Sequence, residues 1–62
     1  MANYNRLHTI ITEAIRDCKK AKTIQQHEEA RNYLLGILRA AYELNAITYE
    51  QKEAFYQEAI TK

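Results

Sequence analysis

The sequence predicts an all-α chain of three helices. Three observations lead there. The 62 residues contain no Pro, a single Gly and no Val, whereas Ala, Leu, Glu, Lys, Gln and Arg, the strong helix formers, are abundant. No stretch alternates apolar and polar residues over the length of a strand. Apolar residues instead recur at three- and four-residue spacings, as on one face of a helix.

The first helix is expected over about residues 4–20, with Asn3 as its cap. Tyr4, Leu7, Ile11, Ala14, Cys18 and Ala21 make one stripe, which Ile10 and Ile15 widen. The second is expected over about 24–44, where His27, Ala30, Leu34, Ile37, Ala41 and Leu44 make another stripe. The two stripes do not share a phase. Continuing the first register would put Gln25, Glu28, Asn32 and Arg39 on the core seam, so the phase slips near Lys20–Ile24. "TIQQ" supplies a local reason: Thr23 at the N-cap and Gln26 three residues on form the capping-box pattern. Lys19, Lys20 and Lys22 precede it, where cations complement the negative end of a helix dipole. Two helices joined tightly at Ala21–Thr23 are therefore expected, with one kinked helix as the alternative.

The middle of the second helix, "YLLGILRAAY", is apolar nearly all round and marks it as the central element. Gly36 inside it costs about 1 kcal/mol relative to Ala. Either a close approach of another helix explains that cost, or a surplus of helix formers tolerates it. Asn45 is the natural stop, because Asn accepts the left-handed conformation that follows a helix. Thr48 with Gln51 repeats the capping box and opens a third helix over about 49–61. Its apolar face is read as Tyr49, the Lys52 stem, Phe55, Tyr56, Ala59 and Ile60. The short turn between the last two helices implies an antiparallel hairpin.

Size and composition bound the rest. A chain of 62 residues makes one domain, residues 1–62. So short a chain buries only about 60% of its unfolded surface, and small scaffolds of this size need a disulfide, a metal, very good packing or a partner subunit. Cys18 is the lone cysteine, which excludes an internal disulfide and suits a reducing compartment. Residues 1–20 hold no apolar signal-peptide core, and the longest strongly apolar run, "YLLGIL", is far short of the roughly 20 residues that span a bilayer. The expected location is cytoplasmic, with no membrane contact.

Chemistry has little to stand on, and no catalytic, cofactor or metal residue is assigned. There is no Ser, and Cys18 lies on the buried stripe, where a thiol is inert. His8, His27 and Cys18 share no short metal-ligand spacing. Charge is uneven, however. Residues 1–22 carry Arg6, Arg16, Lys19, Lys20 and Lys22 against Glu13 and Asp17, a net +3, and residues 23–62 carry a net −2. Arg16, Lys19, Lys20 and Lys22 are the candidate nucleic-acid contacts. Their other reading is an ordinary solvated helix end. A helix-turn-helix built on the second and third helices is disfavoured, since Glu50, Glu53 and Glu58 on the would-be recognition helix would meet phosphates.

Five tyrosines are many for this length. Rigid, apolar and wet at one end, Tyr suits interfaces, although each one singly fits the edge of a core equally well. The candidate oligomer or partner interface is Tyr33, Leu34, Ile37, Leu38, Ala41, Tyr42, Tyr49 and Tyr56.

Compactness, the absence of Pro and the tight capped turns "KTIQQ" and "NAITYEQ" resemble the small helical accessory proteins of temperate, lambdoid-type phages and of plasmids. The resemblance is one of overall design and carries no diagnostic motif. Rop-type RNA-binding hairpin dimers are one such group, from which this chain departs by its third helix and by lacking their RNA-facing residues. The resemblance implies regulatory binding without catalysis, in the host cytoplasm. The expected function is a non-catalytic regulator or adaptor acting as a homodimer on another protein, and the alternative is a dimeric nucleic-acid-binding regulator.

Overall fold

A computed structural model describes residues 2–61, with side chains from Arg6 onward. Among them are three helices and no strand: α1 (Ala2–Lys20), α2 (Ile24–Glu43) and α3 (Tyr49–Ile60). Helix α1 begins at Ala2, two residues before its expected start, so Asn3 lies within it and does not cap it. Ala2 is itself a good helix former and extends the run. The places of Tyr4 on the stripe and of Lys62 at the chain end lie outside the described side chains.

The break between α1 and α2 is real. Residues 21–23 leave the helix, and Thr23 takes an extended conformation at φ −121°. The Gln26 backbone N–H donates to Thr23 Oγ1 at 3.0 Å. The Gln26 side chain reaches back as well, but it accepts from the Lys22 N–H at 3.0 Å, one residue earlier than the expected Thr23 N–H. The box is thus stretched by one residue, and it ties the joint to α2. Thr23→Ala should lower stability by about 0.5–2 kcal/mol, read as a fall in melting temperature. A rise would indicate a helix running through the joint, since Ala is the better helix former.

The other turn follows its sequence signals closely. Asn45 is left-handed at φ 63°. Its N–H donates to the Tyr42 carbonyl at 3.0 Å, and the Ala46 N–H donates to the Ala41 carbonyl at 2.8 Å. This pair of bonds is the Schellman termination, which satisfies carbonyls the helix end would leave orphaned. Two residues later Thr48 Oγ1 accepts from the Gln51 N–H at 3.0 Å, and Gln51 Oε1 accepts from the Thr48 N–H at 2.8 Å, a complete capping box.

The core is Ile11, Ala14, Ile15 and Cys18 from α1, Leu34, Leu38 and Ala41 from α2, Ala59 from α3, and Ile47 from the turn. Leu7, Ala30, Ile37, Phe55 and Tyr56 pack against it half-buried. Every helix touches both others: α2 has α1 and α3 as neighbours, and α1 also rests directly on α3. The apolar surplus of α2 is accordingly divided. Leu34 and Leu38 are buried, while Tyr33, Leu35 and Tyr42 stay exposed on its flanks. A Cβ built at Gly36 meets nothing within 4 Å, so no close approach inside the chain requires the glycine.

Candidate interaction surfaces

The expected interface residues separate into two groups. Leu34, Leu38 and Ala41 are 0%, 1% and 3% exposed, and so are committed to the chain's own core and cannot meet a partner. They fall on the side of α2 that α1 and α3 jointly cover, a fact that the all-round apolar composition conceals. Ile37 and Tyr56 are half-buried against that core. Tyr33, Tyr42 and Tyr49 remain at the surface.

Tyr42 and Tyr49 meet across the turn, edge to face, with centroids 6.0 Å apart and planes at 70°. Lys52 Nζ lies 5.1 Å from the Tyr49 ring centroid and 6.0 Å from that of Tyr42, and 3.4 Å from a Glu53 carboxylate oxygen. The ammonium is attracted by the ring faces. This cluster presents a rigid aromatic ledge on which a cation is held in place. Tyr33 is not part of it. Nine residues along α2 place it about 13 Å away and half a turn round the axis from Tyr42. It instead edges a shallow hollow shared with Asp17, Lys20 and Glu29. On α1, His8 makes an edge contact with Phe55 at 6.2 Å, which helps seat α3.

The basic segment is divided between two faces. Arg16, Lys19, Lys20 and Lys22 are all exposed. Lys20 faces the hollow with two carboxylates, whereas Lys19 and Lys22 stand on the rim of a larger groove of about 880 Å³. The end of α3 closes this groove against the joint, with Ile24, His27 and Arg31 on one wall and Ala59 and Ile60 on the other. Sequence reading overlooked Arg31. Its signal was its place three residues before Leu34, beside the core stripe of α2.

Cys18 lies at the base of the groove, 2% exposed. Burial pushes its thiol pKa up and the Asp17 carboxylate adds to this, with Arg31 pulling the other way. The neutral thiol is therefore favoured by folding. The resulting stability is complete below the unfolded thiol pKa and is lost as pH rises through the higher folded one. Above about pH 9, wild-type stability should fall more steeply with pH than that of Cys18→Ala. Parallel slopes in urea titrations would contradict the assignment.

Among the described residues no three of His, Cys, Asp and Glu converge as a metal set, and no helix is long and apolar enough to cross a membrane. Compared with known proteins, the chain matches no family model, no curated sequence and no solved structure.

Proposed function

We propose that this chain is a non-catalytic regulatory or adaptor module that self-associates as a homodimer and acts by binding another protein. The observation that carries this reading is exposed aromatic and apolar surface around the α2–α3 turn and on the flank of α2: Tyr33, Tyr42, Tyr49 and Leu44 are 41–78% exposed. In this reading α2 and α3 form an antiparallel hairpin. The Tyr42–Tyr49 contact near the turn supports it, as does the meeting of Ile24 and Arg31 with Ala59 and Ile60 at the far end. The second copy covers the aromatic ledge, whose rings lose little side-chain entropy on binding. The design suits an accessory protein of a phage or plasmid acting in the host cytoplasm.

A rival reading, a dimeric nucleic-acid binder, draws on the four exposed cations of the joint. The split between Lys20 and the pair Lys19 and Lys22 counts against one continuous phosphate track. Retention on duplex DNA and RNA resins over a salt series separates the two. The proposed function predicts weak retention, unchanged in slope by Lys19→Gln/Lys20→Gln. Tight binding whose salt slope drops by about 2 in that double variant would overturn it in favour of the rival.

A further inference from the structure

The groove at the α1–α2 joint has a definite chemistry. Its lining is apolar in part: Ile24, 82% exposed, stands on one wall and Ile60, 38% exposed, on the other, with Ala59 and Cys18 buried beneath. Its rim is cationic, with Lys19, Lys22 and Arg31 against one carboxylate, Glu28. None of these three cations has a carboxylate within 4.0 Å among the described residues, because the ion pairs are Arg39–Glu43 and Lys52–Glu53, elsewhere. Arg31 is the most telling, being half-buried and still unpaired. A partly desolvated guanidinium gains from a carboxylate that can accept two of its N–H groups at once.

Resting on the reading that the chain acts by binding protein, we propose that this groove docks an acidic segment of a partner protein, one that carries an apolar anchor. The anchor lies on Ile24 and Ile60, and the flanking carboxylates meet Lys19, Lys22 and Arg31. Three features favour this occupant. The groove is large, about 880 Å³, yet open along one side. That shape takes a length of chain, where a small ligand would be mostly enclosed. A phosphate backbone would leave the apolar lining unused, and Arg16 and Lys20 stand outside the groove. In the proposed dimer a second copy covers the Tyr42–Tyr49 ledge at the turn, which leaves the groove at the opposite end of α2 and α3 open to the partner.

The test pans a displayed library of random 12-residue peptides against the full chain. The strongest binder is then made as a labelled peptide, together with an acid-to-amide version and an apolar-to-Ser version, and each is titrated by fluorescence anisotropy. Selected peptides should combine acidic residues with an apolar one. Each altered peptide should bind about tenfold more weakly or worse, as expected from losing a charge-assisted pair or the anchor. Arg31→Gln should weaken the parent peptide similarly. Lys19→Gln/Lys22→Gln, at exposed positions, serves the same purpose if Arg31→Gln does not fold. A duplex DNA or RNA oligonucleotide should not displace the peptide. The proposal is overturned if no peptide is enriched, if enriched peptides lack acids, if the groove variants bind normally, or if the oligonucleotide displaces the peptide. Peptides lost in Tyr42→Ser/Tyr49→Ser but kept in the groove variants would overturn the groove assignment alone and leave the protein-binding function standing.

Discussion

Leu34→Ala should remove most of the chain's stability. Leu34 is 0% exposed and sits where α2 meets the Ile11, Ala14 and Cys18 stripe of α1 in the core. Truncating a buried Leu to Ala costs about 2–5 kcal/mol, through lost transfer energy and the cavity left behind. A 62-residue domain has only about 3–9 kcal/mol to lose. Urea unfolding followed by circular dichroism should show a midpoint shifted far toward zero, or no transition. Ile24→Ala is the control, because Ile24 is 82% exposed at the end of α2 away from the Tyr42–Tyr49 ledge and should change stability by no more than about 0.5 kcal/mol. Equal effects at the two positions would mean that the assigned core is wrong.

The second large effect is expected in the turn. Ile47 is 7% exposed, wedged between the Schellman termination of α2 and the Thr48 cap of α3. Ile47→Ala should cost about 2–5 kcal/mol, the range for Ile in a core and far above that for an ordinary loop residue. It should also loosen α3 first, seen as faster hydrogen exchange of its amides relative to those of α1. Ile24→Ala, at an 82% exposed position, should be close to neutral. A small effect at Ile47 would show that α3 is held by its helix contacts and not by its turn.

The contrast between Leu34 and Ile47 shows what the sequence could convey. Helix positions were legible because period and caps are local: Thr23, Asn45 and Thr48 each bond within a few residues of themselves. Ile47 was hidden because a turn has no period, and its burial depends on contacts distant in sequence. Which side of α2 faces inward was only half legible. Leu34 and Ala41 of the predicted stripe are buried, but its last member, Leu44, is 78% exposed beyond the helix end, and the surrounding apolar residues obscured that Leu38 is core while Tyr33 and Leu35 are surface. The cations of the joint were legible as residues and not as surfaces. Lys19 and Lys20 are neighbours near the end of α1 and so point about 100° apart, which sends Lys20 to one side while Lys19 shares the other with Lys22. The groove itself depends on Ala59 and Ile60 arriving from the opposite end of the chain. No local pattern encodes that meeting.

Self-association is the claim on which the functional account rests, and sedimentation equilibrium at tens of micromolar tests it most directly. The account predicts a mass that is a multiple of the 7.3 kDa chain, falling toward the single-chain value in Tyr42→Ser/Tyr49→Ser while the helix content persists. A wild-type chain that sediments at 7.3 kDa and still melts at high temperature would contradict it.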